Sequence, residues 1–201
     1  MPTVQLATEH GCHVYLGSRS VERGTAAVDS IKKENPSALV ELVQVDVSSD
    51  ESVKAAAATV QAKLGGEKLY ALVNNVSPNP LRRERLCCNH MVRYCRVARG
   101  PQSSRNLSRQ AGTGLAHGTD AQTQLQTNLY GPKRMVEAFL PLISSTEGRI
   151  VNVGSGAGPI FVGNEKCPLE VKKMLCSPDV TWEQIDTLCK GDGLSYDTMG
   201  G

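Results

Sequence analysis

Residues 68–77 read KLYALVNNVS, and the fold is decided in this stretch. The run Leu69-Tyr70-Ala71-Leu72-Val73 has no polar alternation, which suits a strand covered on both faces, as in a parallel α/β sheet. Asn74 and Asn75 follow at the carboxyl end of that run. Open α/β sheets bind their ligands at this end, so two amides placed there have a chemical reading. They also have a plain one, since asparagine starts turns.

The segments before this strand repeat one rhythm. Pro2 to His10 reads as a short helix, with Gly11 where a left-handed C-terminal cap is wanted. Cys12 to Gly17 is a buried strand, and Ser20 can cap a helix that runs to about Glu34 on Ala27, Val28 and Ile31. Asn35-Pro36 stops that helix, because proline disfavours helical geometry in the residue before it. Leu39 to Asp46 is the next strand. Ser48-Ser49-Asp50-Glu51 then has capping-box spacing ahead of a helix on Val53, Ala57, Val60 and Leu64, closed by Gly65-Gly66. Strands alternating with helices in this way predict parallel pairing through right-handed crossovers, hence a doubly wound α/β sheet.

Beyond Ser77 the rhythm breaks. Eight of the twelve arginines lie between Leu81 and Arg109, with no lysine, one acid (Glu84) and little helical or strand periodicity. Residues 78–119 therefore read as an irregular insert, and residues 81–118 are predicted to be poorly ordered, because they bury too little to offset the entropy of ordering. Regular structure resumes near Asp120, where Leu125, Leu129, Val136, Leu140 and Ile143 mark a helical face interrupted at Gly131-Pro132. Arg149 to Val153 is a strand, and Cys167 to Met174 and Thr181 to Lys190 are two short helices.

Composition bounds the function. A chain of 201 residues, 40% hydrophobic, is long enough for one domain with a sizeable core, and a net charge of +2 argues neither for nucleic acid nor for a membrane surface. No basic, apolar leader and no bilayer-length apolar run stand in the sequence, which predicts a cytoplasmic protein with seven reduced cysteines. Cys87, Cys88, His90 and Cys95 lack the paired C-x-x-C spacing of zinc modules, so no metal is expected. The arginine cluster lacks the aromatic platforms that accompany RNA binding, Tyr94 being its single aromatic residue.

Five segments, GCHVYLGSRSVERG, VQVDVSSDES, ALVNN, QTNLYGPKRMVEAFLPLI and GRIVNVGSGAG, stand in the order found in one family. The chain resembles the short-chain dehydrogenase/reductases, and within them the carbonyl reductases, over residues 3–77 and 121–158. The resemblance implies a Rossmann-like sheet, NADP (NADPH) as cofactor and a small-molecule carbonyl substrate. It implies that Arg19 and Arg23 bind the adenosine 2′-phosphate, a role that suits planar guanidinium groups, although both could instead be solvated surface. Asp46 and Val47 match the adenine-binding pair, and Asp46 could equally cap the following helix. Asn74-Asn75-Val76-Ser77 matches a motif, Asn-Asn-Ala-Gly, that supports the central sheet and lines the cofactor. Asn128 matches the asparagine that anchors a water in the proton relay; otherwise it is a helix amide bonding to backbone. Ser155 matches the catalytic serine that polarises the substrate carbonyl, and its plain reading is a turn.

Two family features have no match. The family's cofactor fold begins with a strand and a glycine-rich turn that cradles pyrophosphate, whereas here the first helix starts at residue 2. Its Y-x-x-x-K motif, in which lysine lowers the tyrosine pKa, has no counterpart, since Tyr196 is followed four residues later by Gly200. The expectation is thus a single partial dinucleotide-binding domain over residues 1–201, truncated at both ends and inactive by itself. A noncatalytic binding protein on the same scaffold is the alternative. In the resembled sheet the absent strand lies between the Cys12–Gly17 strand and the Leu69–Asn74 strand. These two are expected to be left with unpaired edges or to pair directly.

Overall fold

Four consecutive residues of β1 (His13–Ser18), Val14 to Gly17, are buried, as the apolar run requires of an interior strand. The computed structural model describes residues 6–7, 10–76, 90–94 and 120–191. The chain divides into two compact units, Met1–Val153 and Gly154–Gly201, where the sequence predicts one domain.

In the first unit, the predicted opening helix falls largely outside the described residues, and Gly11 takes the left-handed φ of 59° expected of its end. Ser20 caps α1 (Val21–Glu34) by accepting from the Arg23 backbone N–H at 3.2 Å, and Asn35 ends it. β2 (Val40–Gln44) follows, then α2 (Asp50–Leu64). The cap of α2 is Ser49, not the Ser48 of the predicted box, because Asp46 engages Ser48; Ser49 Oγ accepts from the Ser52 N–H at 3.2 Å. Gly65 and Gly66 close α2 with φ of 58° and 96°. β3 (Ala71–Asn74) is the predicted central strand.

The gap predicted beside β3 is filled. β4 (His90–Tyr94) lies antiparallel between β1 and β3, giving the order β2-β1-β4-β3-β5, with β5 at Arg149–Asn152. Its register sets Met91 opposite both Tyr15 and Leu72, and Met91 is fully buried. This corrects two expectations. Residues 90–94 of the segment expected to be irregular form a strand, the rest of residues 78–119 lying outside the described residues, and β1 and β3 neither pair directly nor present bare inner edges. The physical reason is that the inner edges of β1 and β3 carry N–H and C=O groups that need partners, and the extended segment His90–Tyr94 pairs with both while setting Met91 into the core. The sheet is therefore parallel in β2, β1, β3 and β5 and antiparallel at its centre.

Helices cover both faces. α1 packs Ala27, Val28 and Ile31 with Val14, Leu16 and Val40. On the other face, Val53, Ala57, Val60 and Leu64 of α2 join Tyr15, Leu72 and Met91, together with Met135 and Phe139. The last two belong to a helical stretch built in four pieces: α3 (Ala121–Leu125), a π turn (Gln126–Tyr130), α4 (Gly131–Phe139) and a 3₁₀ turn (Leu140–Leu142). Pro132 has no N–H for the carbonyl of residue 128; the helix widens into the π turn before it, and α4 starts afresh at Gly131 with Pro132 in its first turn. The wide turn shifts the apolar face by one position. Met135 and Phe139 are buried, whereas Leu140, predicted to face inward, is 56% exposed.

In the second unit, α5 (Ala157–Gly163) was not anticipated, while α6 (Leu169–Leu175) and α7 (Trp182–Lys190) match the two predicted helices. Thr181 and Gln184 form a reciprocal capping box at the start of α7. Among the described residues no helix is long and apolar enough to cross a membrane, and no cluster of His, Cys, Asp and Glu could hold a metal.

Candidate functional site

Because β1, β2, β3 and β5 run parallel, their carboxyl ends share one edge of the sheet, with Ser18 beside Gln44 and Asn74 beside Asn152. The turns leaving that edge carry the residues singled out from the sequence. Arg19 follows β1 directly and is exposed; its backbone carbonyl accepts from Gln44 Nε2 at 3.4 Å, which ties the ends of β1 and β2 together. Arg23 is exposed on the first turn of α1. Neither guanidinium has an ion-pair partner among the described residues, so both are available to an anion near the amino end of α1, where the helix dipole also favours negative charge.

Asp46 and Val47 form the turn leaving β2. The Asp46 carboxylate accepts from the Ser48 N–H at 2.9 Å and from Ser48 Oγ at 2.6 Å, and the Asp46 N–H donates to Ser52 Oγ at 2.9 Å. The predicted capping role of Asp46 is thus an aspartate turn that holds the loop rather than a cap on α2 itself. Val47 is buried, and a Cβ added at Gly131 would come within 2.8 Å of Val47 Cγ2. Glycine at 131 is what lets α4 approach this loop so closely.

Asn74 ends β3 and is only 2% exposed. Its Nδ2 donates to Asn152 Oδ1 at 2.8 Å, and its carbonyl accepts from the Val153 N–H at 2.9 Å. Asn74 Oδ1 is buried with no hydrogen-bond partner among the described residues. Asn75 is partly buried beside it, and Ser77 lies outside the described residues. Asn152 was missed by sequence reasoning, although the signal was there: it follows the apolar pair Ile150-Val151 as Asn74 follows Ala71-Leu72-Val73.

Asn128 is exposed within the π turn, the kind of helix irregularity found often at functional sites. Arg134 was also missed, and no short motif marks it. Its guanidinium donates to Asp50 Oδ1 at 2.5 Å, Gln126 Oε1 at 2.9 Å and the Val47 carbonyl at 3.4 Å. Ser155 belongs to the second unit, exposed in the turn before α5, and its carbonyl accepts from the Gly158 N–H at 3.2 Å. The first unit therefore brings Arg19, Arg23, Asp46, Val47 and Asn74 to one edge of one sheet, and places Asn128 in the π turn that precedes α4, the helix packed against Val47.

Away from this edge, Glu41 on β2 bonds His13 at 2.7 Å and Lys63 at 2.5 Å. The Lys63 ammonium, followed by His13, holds the Glu41 carboxyl below its ordinary range, and Glu41 raises Lys63 in turn.

Residues 2–91 match a family model described as short chain dehydrogenase. The chain is 33% identical over 161 residues to a (+)-neomenthol dehydrogenase of Arabidopsis thaliana, covering 78% of this chain and 49% of that protein. It is 34% identical over 156 residues to short-chain dehydrogenase/reductase 1 of Saponaria officinalis, covering 77% of this chain and 48% of that protein. The chain thus spans about half the length of these curated relatives. Among solved structures, the menthone neomenthol reductase of Mentha piperita superposes with a TM-score of 0.61 over 93% of this chain and 66% of that one, at 23% identity. That likeness is one of fold.

Proposed function

Since the chain belongs to the short-chain dehydrogenase/reductase family, we propose that it serves the NADP-dependent reduction of a carbonyl compound. One observation carries this reading: the carboxyl edge of the sheet gathers two exposed arginines after β1, the Asp46–Val47 turn after β2 and the buried Asn74 at the end of β3. A dinucleotide fold that prefers NAD usually places an acid where Arg19 stands, to bind the ribose hydroxyls. Two guanidinium groups suit a phosphate on that ribose instead.

The roles follow from the chemistry of each side chain. Arg19 and Arg23 hold the 2′-phosphate, and Asp46 and Val47 border the adenine, Val47 through apolar contact. Asn74 braces β3 against β5 through Asn152, and its unpartnered Oδ1 suits a hydrogen-bond donor of the cofactor or an ordered water. Asn128 holds a water for proton delivery, and the Ser155 hydroxyl donates to the carbonyl oxygen, where negative charge develops. Bound NADPH supplies the hydride.

A second reading, a noncatalytic binder on this scaffold, is favoured by the antiparallel β4. The slot between β1 and β3 ends at the crevice in the amino end of β4, not in a glycine-rich turn entering a helix. Comparing NADPH with NADH by fluorescence titration tests the main reading. Arg19→Ala and Arg23→Ala are each expected to weaken NADPH by roughly tenfold, the worth of one charge-assisted hydrogen bond, and to leave NADH unchanged. Equal binding of both cofactors, unaffected by either substitution, would overturn it.

A further inference from the structure

Arg134 touches two segments some eighty residues apart in sequence. Toward the loop after β2 it bonds Asp50 Oδ1 at 2.5 Å through Nε and the Val47 carbonyl at 3.4 Å through Nη1. Toward the π turn it bonds Gln126 Oε1 at 2.9 Å through Nη2, and its Cζ lies 6.0 Å from the centroid of the Tyr130 ring. The side chain is 22% exposed, although Asp50 is 60% exposed, so this guanidinium is held by packing and not only by its ion pair. Each nitrogen of a rigid, planar fork has its own acceptor. A lysine, with a compact charge on a flexible stem, could satisfy one of the three in place. Beside it, Gly131 lets α4 close onto Val47, so the packing and the polar bonds act on the same pair of segments.

We propose that Arg134 is a positioning residue that holds the Asp46–Asp50 loop and the Gln126–Tyr130 π turn in one register. A ligand seated against Val47 and a group held at Asn128 are then placed relative to each other by one side chain. The proposal rests on the reading above that these two segments form one site, and its test separates the two.

The test compares Arg134→Met, Arg134→Lys and Asp50→Asn with the unsubstituted chain in two measurements, residue-resolved amide hydrogen exchange and affinity for 2′,5′-ADP, a probe of the adenosine end alone. Arg134→Met is expected to speed exchange in residues 46–50 and 126–130 together while leaving the β3 amides unchanged, and to weaken 2′,5′-ADP roughly tenfold. Arg134→Lys, keeping the charge without the fork, recovers only part of either effect. Asp50→Asn, which leaves the other two acceptors in place, gives a smaller change in the same two segments and serves if Arg134→Met does not fold. Faster exchange in one segment alone, or a uniform rise that includes β3, overturns the proposal, as does full recovery by lysine. If the unsubstituted chain does not bind 2′,5′-ADP, the cofactor reading fails by itself, and exchange in the two segments alone upholds or overturns the positioning role.

Discussion

Tyr15 is fully buried in the core beneath α2, and its hydroxyl has no hydrogen-bond partner among the described residues. A buried hydroxyl that forfeits its bonds to water without replacing them is a net cost. Tyr15→Phe is therefore expected to raise stability by about 1 kcal/mol in urea unfolding. A loss of stability would show that the hydroxyl is satisfied. Glu41 makes the opposite case, with two cationic or donor partners and a carboxyl lowered from its ordinary value of 4.5, first by Lys63 and then by His13. A lowered carboxylate pKa contributes stability that is complete above the ordinary value and is lost as pH falls through the folded one. The side chain is 38% exposed, so solvent screens much of the effect, and Glu41→Gln should cost only about 0.5 kcal/mol at neutral pH. The variant should also lose less stability than the parent between pH 6 and about pH 3, measured by urea midpoints. Identical pH dependence in the two proteins would contradict this.

At the scale of elements, β4 is where structure and sequence part most. Its five residues show no strict alternation, Met91 and Val92 being adjacent apolar residues between His90 and Arg93, and they sit among arginines, so local pattern could not separate them from their flanks. What fixes β4 is not local. β1 and β3 each need a partner on their inner edge, and Met91 completes the core between Tyr15 and Leu72. Met91→Ala should cost about 2–5 kcal/mol, and the amides of residues 90–94 should exchange as slowly as those of β1. Fast exchange there would mean that the slot is not held by this segment. The elements that were legible are those whose cause is local: α1 between Ser20 and Asn35, α2 up to its two left-handed glycines, and β3 from its unbroken apolar run. The cap of α2 was misread by one residue because the competing Asp46–Ser48 bonds belong to a loop conformation. The face of α4 was misread because a π turn changes the helical repeat without changing composition. In the site, residues fixed by strand ends were legible, as with Arg19 and Asn74. Asn152, at a strand end like Asn74, was equally legible but passed over, whereas Arg134 acts through partners distant in sequence and was not legible.

Over the whole molecule, the chain divides into two compact units and spans about half the length of its curated relatives. Within these 201 residues no tyrosine has a lysine four positions on, the neighbour that would fit a tyrosine for proton transfer at neutral pH. Residues 1–201 alone are accordingly expected not to oxidise NADPH with a panel of aldehydes and quinones. Turnover that disappears in Ser155→Ala would refute that expectation. The central claim, that the carboxyl edge of this sheet is built for the phosphorylated adenosine of NADP, does not depend on turnover. It is tested most directly by titrating the ¹⁵N-labelled chain with 2′,5′-ADP and following the backbone amides. The account predicts saturable shifts concentrated in residues 18–23 and 45–48, abolished by Arg19→Ala with Arg23→Ala. Shifts spread without saturation, or confined to residues 154–191, would contradict it.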